Sequence, residues 1–319
     1  GDLLYALYGA TSGQVAISKI DGAINQAVLC IRSNENKYFL KTWLEHHKER
    51  ILATYLQGGQ GNLSAQIVKL LKLKMPPLPE QQKIAAFLTA VDTKIEQLTQ
   101  KEALLKQYKK GVMQKIFLQE IRFKADDGSE FPEWEERRFG EVFDRITTKN
   151  KENNQNVLTI SAQQGLVNQE DYFNKSVAAQ DVTGYFLLHK NDFAYNKSYS
   201  KGYPLGAIKR LTKYDKGVVS TLYICFKAKN CVTAFAEQFF EYGGLNREIH
   251  KIAQEGARNH GLLNMSVVEF FKDMELPLPC QEEQLKIAEL FTNLDLKIRQ
   301  ATQQLTCAKT FKKGLLQQM

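Results

Sequence analysis

No stretch of this 319-residue chain is apolar for long enough to cross a membrane, and nothing in it has the layout of a secretory signal. Cysteine is sparse: Cys30, Cys225, Cys231, Cys280 and Cys307 are odd in number, and no two share a C-x-x-C spacing. That argues against a zinc ribbon or a paired redox site and points to scattered reduced thiols in a cytoplasmic protein. His46 and His47 are adjacent, which on a helix turns them about 100° apart rather than toward one metal ion. With no further His or Cys at ligand spacing, they read as a polar helix surface. "GATSGQ" at Gly9 to Gln14 lacks the Lys-Ser/Thr ending of a phosphate-binding loop, so it reads as a turn between strands. "GGQG" at Gly58 to Gly61 leads into no dinucleotide fingerprint, and there is no G-x-S-x-G elbow. The carboxylates form no convincing catalytic pair. No catalytic residue, metal ligand or cofactor site is therefore expected in this chain.

What is present is a soluble composition, with 43% hydrophobic and 24% charged residues. The length suits two ordinary domains. A net charge of +8 permits binding to nucleic acid or an anionic surface without demanding it. The chain also repeats itself. Glu80, Lys83, Ile84, Ala85, Asp92, Lys94, Ile95, Lys110 and Gly111 recur as Glu283, Lys286, Ile287, Ala288, Asp295, Lys297, Ile298, Lys313 and Gly314, at a constant separation of 203 residues. Fainter matches lie upstream: Asp2 with Asp192, Tyr5 with Tyr195, and Asn62–Ser64 with Asn264–Ser266. Each unit thus runs from a mixed α/β segment, through a proline-rich joint, into a long helix. The second unit opens near "FPEWEERRFGEVF" at Phe131 to Phe143. The first shows no counterpart of that opening, an expected deficit of roughly 55–60 residues against a typical domain-sized unit.

The two helices look built to pair. Pro76, Pro77 and Pro79 precede one and Pro277 and Pro279 the other, where first-turn N–H groups have no helical partner to lose. Apolar residues then step by four and three: Ile84, Leu88, Val91, Ile95, Leu98, Leu105, Val112 and Ile116, interrupted by Glu102 and Lys109. The second copy runs Ile287, Phe291, Leu294, Ile298, Ala301, Leu305, Ala308, Leu315 and Met319, interrupted by Lys312. This is a coiled-coil seam, narrower than the buried face of an ordinary surface helix. Two seams in matching register favour pairing with each other, and an antiparallel pair would set one α/β domain at each end. Helices of roughly 38 residues would be about 55 Å long, enough to hold two DNA readers somewhat over one turn apart. Such a pair would be a ruler.

In the second unit "NDFAYNKSYSKGYPLGAIKRLTKYDKGVVSTLYICF" alternates apolar and polar residues and breaks at glycine and proline, as strands and tight turns do. Lys197, Ser198, Tyr199, Lys201, Tyr203, Lys209 and Arg210 interleave cations with aromatic and hydroxyl groups, a mixture suited to phosphate and base contact. Arg258, Asn259 and His260 follow on a glycine-bounded loop. Their counterpart in the first unit, "QGGQGNLS", offers the less basic Gln60 and Asn62. Each of these side chains can equally be a solvated loop residue.

The "PLPEQQKIAAFLTAVDTKIEQL…YKKGVMQKIF" block, its second copy and the "FPEWEERRFGEVF" opening together resemble specificity subunits of Type I restriction–modification systems, along nearly the whole chain. The resemblance implies an α+β architecture. Two mixed α/β target-recognition domains, the first partial, are separated by two long helices in antiparallel contact. Its boundaries here would be 1–78 for the partial first domain, 79–119 for the first helix, 120–279 for the second domain and 280–319 for the second helix. It further implies a non-catalytic, cytoplasmic subunit that reads a bipartite site in double-stranded DNA. The subunit would dock methyltransferase (modification) subunits and ATP-driven restriction/translocase subunits. S-adenosylmethionine, ATP and Mg would belong to those partners, which methylate adenine and translocate. The alternative of another class is a stand-alone coiled-coil DNA-binding regulator.

Overall fold

The computed structural model describes residues 1–55, 63–174, 181–253, 258–259 and 262–318. By packing, the chain falls into two compact units, one of Gly1–Leu104 with Ile298–Met319 and the other of Leu105–Lys297. This grouping differs from the four sequence segments because each long helix packs partly within one unit and partly within the other.

In the first unit β1 (Leu3–Ala6), β2 (Val15–Ile17) and β3 (Val28–Ile31) form an antiparallel sheet of order β2-β1-β3. Gly9–Thr11 makes a single 3-10 turn inside "GATSGQ", between β1 and β2. α1 (Lys37–His46), α2 (Lys48–Tyr55) and α3 (Ala65–Leu70) follow. α1 starts at Asn36, whose Oδ1 accepts from the Tyr38 and Phe39 amides; α3 starts at Ser64, whose hydroxyl accepts from the Ile67 amide. Each cap satisfies first-turn donors that a helix cannot satisfy itself. Phe39, Trp43, Leu44 and Ile51 meet Leu3, Tyr5 and Leu7 in one core. His47 is the last cap of α1, stacked on Trp43 with ring centroids 3.9 Å apart and edge-on to His46 at 4.9 Å. α4 (Leu78–Phe117) comes next.

The second unit holds β4 (Glu135–Arg138), α5 (Phe139–Val142), β5 (Phe143–Arg145), β6 (Leu158–Ser161), β7 (Gly165–Asn168), α6 (Gln169–Phe173) and β8 (Phe186–His189). It continues with β9 (Phe193–Asn196), β10 (Ala207–Arg210), β11 (Lys216–Val219), β12 (Ile224–Ala228), α7 (Thr233–Tyr242) and α8 (Asn246–Ile252). β13 (Arg258–Asn259), β14 (Leu262–Leu263), α9 (Val267–Lys272), β15 (Glu275–Leu278) and α10 (Gln281–Leu316) complete the chain. Its main sheet has the order β10-β9-β12-β5, and β4 pairs with β15 in a separate two-stranded sheet. Phe139, Phe143, Phe193, Phe226 and Phe270, all buried, build an aromatic core under that sheet. A Cβ on Gly140 would lie 2.8 Å from the Phe271 carbonyl oxygen, an atom of the backbone. Gly140→Ala should therefore cost about 1–3 kcal/mol, visible as a lower urea midpoint.

The sequence repeat is a structural repeat, register for register. Tyr5 sits opposite Leu29 and Val15; Tyr195 sits opposite Ile224 and Ile208. Cys30 opposite Leu4 matches Cys225 opposite Ala194. Gln81 and Gln284, 203 residues apart, are both buried in the first turn of their helices. Each Nε2 donates to a proline carbonyl five residues back, Pro76 at 2.8 Å and Pro279 at 2.8 Å. Each Oε1 accepts the backbone amide of a capping residue, Asn36 at 3.0 Å before α1 and Val232 at 2.8 Å before α7.

The two long helices are antiparallel within each unit. In the first, Lys312 Nζ meets Asp92 Oδ1 at 2.6 Å and Thr302 Oγ1 meets Glu102 Oε1 at 2.8 Å, so ten residues forward along one helix is ten back along the other. In the second, Lys109 Nζ meets Asp295 Oδ1 at 2.7 Å and the Phe117 ring stacks on Phe291. Of the expected seam, Leu88, Leu98, Ile287, Phe291, Leu294 and Leu305 are buried, while Ile84, Val91, Ile95, Leu105, Ile298 and Leu315 are half-buried. The three breaks in the apolar pattern, Glu102, Lys109 and Lys312, are the residues that make these cross-helix polar contacts. A polar group at a seam position specifies register at some cost in stability.

Among the described residues no helix is long and apolar enough to cross a membrane. Burial pushes the thiols of Cys225 and Cys231 up to about 12, whereas Cys307 is exposed. At pH 8 a thiol-alkylating reagent should label Cys307 in the native chain. It should leave Cys225 and Cys231 unmodified until denaturant is added, which peptide mass mapping would show.

Candidate nucleic-acid interface

The most accessible of the sequence-predicted residues lie on the loop between β9 and β10. β9 ends at Asn196, whose Oδ1 accepts the Ser198 amide at 3.0 Å and turns the chain out of the sheet. Ser200 and Tyr203 exchange backbone hydrogen bonds of 3.2 and 2.8 Å around Lys201 and Gly202. Gly202 takes φ +87°, the conformation such a tight turn requires. Lys201 is thereby held exposed at a turn tip, and Tyr199, on the same loop, is 59% exposed. Gly206, at φ +89°, closes the loop so tightly that a Cβ would lie 2.2 Å from the Asn196 carbonyl oxygen. The loop is shaped, not slack.

Lys197 is half-buried and lines a depression of about 140 Å³ with Arg145, Phe186, Thr221, Leu222 and Tyr223 among its walls. Leu222 is 61% exposed at the turn between β11 and β12. Two cations beside an apolar wall can hold a phosphate while an aromatic or aliphatic surface lies against a sugar or base. The Lys197 carbonyl accepts the Leu263 amide at 3.2 Å, which docks the β13–β14 ribbon onto this loop. That contact brings the backbone of Arg258 and Asn259 to the same place, since Arg258 is paired with Leu263 and Asn259 with Leu262. Gln60, Asn62 and His260 lie outside the described residues.

Tyr203, Lys209 and Arg210 have different positions from those the sequence suggested. Lys209 is 8% exposed and its ammonium is bonded to the Glu241 carboxylate and to the Tyr203 hydroxyl, the latter at 2.9 Å. The Tyr203 hydroxyl donates to Glu241 Oε2 at 2.6 Å, and burial together with that carboxylate raises its pKa. Arg210 is paired with Glu237 at 3.1 Å. Burial raises the Glu237 carboxyl, with Arg210 opposing the shift. These cations neutralise carboxylates of α7, so they stitch helix to sheet rather than reaching outward to phosphate. Glu237 and Glu241 lie one turn apart on α7, and the sequence alone does not say that this helix would place two glutamates beside the end of β10.

Sequence reasoning missed Arg145 and Leu222, which stand among ordinary strand-end residues. It also passed over Gln81 and Gln284, although their identity at the same 203-residue separation was a usable signal. Among the described residues no group of His, Cys, Asp and Glu is arranged to hold a metal ion.

The Type I restriction modification DNA specificity domain model matches residues 1–107. That stretch is therefore similar to the Type I specificity domain. Two proteins of Methanocaldococcus jannaschii are similar to parts of the chain. The type I restriction enzyme MjaVIII specificity subunit is 28% identical over 152 residues, 45% of this chain and 35% of its own length. The provisionally named MjaX specificity subunit is 33% identical over 119 residues, 34% of this chain and 28% of its own. The chain therefore aligns with about a third of either relative. The crystal structure of the Type I restriction-modification system S subunit from M. genitalium shares the fold, with a TM-score of 0.59 at 18% identity over 99% of this chain and 81% of that one. The first helix block thus falls largely within the matched domain, and the chain as a whole is matched at the level of fold. The family match falls on the unit with fewer strands, and the strand register described above repeats its core in the second unit.

Proposed function

We propose that this chain is a DNA sequence-specificity subunit that does no chemistry itself. The observation that carries the reading is the repeat. The sheet and capping-glutamine joint of the family-matched unit recur in the second unit, which adds a shaped loop of exposed cation and aromatic residues. Lys197, Lys201, Arg145 and Tyr199 supply the contacts to phosphate and base, and α4 and α10 supply the spacer between two half-sites of a bipartite double-stranded target. Docking would be to methyltransferase subunits that carry S-adenosylmethionine and to restriction/translocase subunits that use ATP and Mg, in the cytoplasm.

The test is co-expression with a cognate modification subunit, followed by methylome sequencing. Methylated adenines in one split motif, lost when the chain is omitted, are expected. Specific DNA binding by the chain without any complex or methylation would instead make it a stand-alone regulator.

A further inference from the structure

The turn between β6 and β7 stands beside the candidate interface and carries two glutamines that take no part in the core. Ser161 is opposite Gly165 in the register of this hairpin, so Ala162, Gln163 and Gln164 make a three-residue turn. Gly165 takes φ +80°, the left-handed residue with which turns of this length close. The Ser161 hydroxyl accepts the Gln164 amide at 3.2 Å and braces the turn from inside. Ala162 is buried, whereas Gln163 and Gln164 are both exposed. The tip is anchored at its base and polar at its end.

Two contacts fix where the hairpin lies. The Gln163 side-chain amide donates to the Lys201 carbonyl oxygen at 3.4 Å, a long hydrogen bond that sets the tip against the cationic turn of the β9–β10 loop. Further along β6, Thr159 Oγ1 and the Tyr223 hydroxyl are 3.3 Å apart. Tyr223 is a wall of the depression that Arg145 and Lys197 share. β6 thus leads from the cation-lined depression to the Lys201 turn, and Gln164 comes at its end.

The chemistry of Gln164 differs from that of its neighbours. Arg145, Lys197 and Lys201 are cations, which phosphate attracts whatever the base sequence. Gln164 has no charge to offer a phosphate, and among the described residues its carboxamide makes no hydrogen bond. A carboxamide donates from nitrogen and accepts at oxygen. Those two functions match the N7 acceptor and N6 donor that adenine presents in the major groove. The amide nitrogen of Gln163 is turned to the Lys201 carbonyl instead. We propose, on the footing of the DNA-specificity reading, that Gln164 is a specificity-determining residue. It reads the major-groove edge of one adenine in double-stranded DNA, while Lys201 beside it contacts phosphate.

The experiment incubates the full chain, with its cognate modification subunit present, with a pool of double-stranded oligonucleotides of random sequence. Bound duplexes are recovered and sequenced for the native chain, Gln164→Ala and Gln164→Glu. The native chain should enrich a motif containing one adenine for which Gln164→Ala loses about 5- to 150-fold in discrimination. The other positions, the salt slope and the melting temperature should not change, because an exposed, uncharged side chain is all that is removed. A carboxylate accepts from the cytosine N4 amine but cannot donate to adenine N7, so Gln164→Glu should move the preferred base there from adenine to cytosine. Lys201→Ala should weaken binding to all sequences alike. A motif that Gln164→Ala leaves intact at every position overturns the assignment, as does retention of adenine by Gln164→Glu. A loss by either variant that is uniform over all sequences also overturns it. Enrichment of no motif by the native chain would overturn the specificity reading itself, and the assignment with it.

Discussion

Replacing Arg145, Lys197 and Lys201 together with alanine should weaken DNA binding on the order of 100-fold near physiological salt. It should also make the dependence of log K on log salt shallower by about two to three. Each phosphate neutralised by a cation releases condensed counterions, so each lost contact removes nearly one unit of slope. The reasons for choosing these residues are positional. Lys201 is exposed on the turn tip, and Lys197 and Arg145 line one depression with an apolar wall. None of them carries the packing of the aromatic core, so the variant should keep its melting temperature. Equal loss for the intended and a mismatched sequence would mark the three as phosphate contacts; loss for the intended sequence alone would mark base contacts. Binding with an unchanged affinity and salt slope would remove this loop from the interface.

Lys209→Ala should do the opposite. It should lower stability by about 3 kcal/mol, because a largely buried ion pair loses one partner and leaves a carboxylate uncompensated. For a unit of this size that is roughly 6–12 °C in melting temperature. The salt slope of DNA binding by the folded fraction should not change. Glu241 would keep the Tyr203 hydroxyl as a donor, but that hydroxyl now also receives the Lys209 ammonium, and the three groups are satisfied together. A shallower salt slope with an unaltered melting temperature would place Lys209 at the phosphates instead. Two lysines twelve residues apart, Lys197 and Lys209, thus have separable tests: one moves the salt slope and the other the stability.

The helix pair was the most legible part of the molecule. Apolar spacing is a local property of a helix, and a seam that repeats identifies its own partner, as with Leu88, Leu98, Phe291 and Leu305. Glu102, Lys109 and Lys312 read as flaws in that seam, and they prove to be cross-helix contacts. A one-dimensional pattern shows that a polar residue interrupts a seam but not which group faces it. The loop residues were half legible. Lys201 and Tyr199 are exposed as their turn chemistry suggests, whereas Lys209 and Arg210 differ only in facing α7.

The sequence by itself determined the repeat, the two apolar seams and the family they resemble. All three rest on residue identity at fixed spacing, which needs no coordinates. The tertiary structure alone decided which cations reach outward and why Gln81 and Gln284 recur. Those depend on which faces two distant segments turn toward each other, and that relation is set by packing across the fold rather than by any run of neighbouring residues.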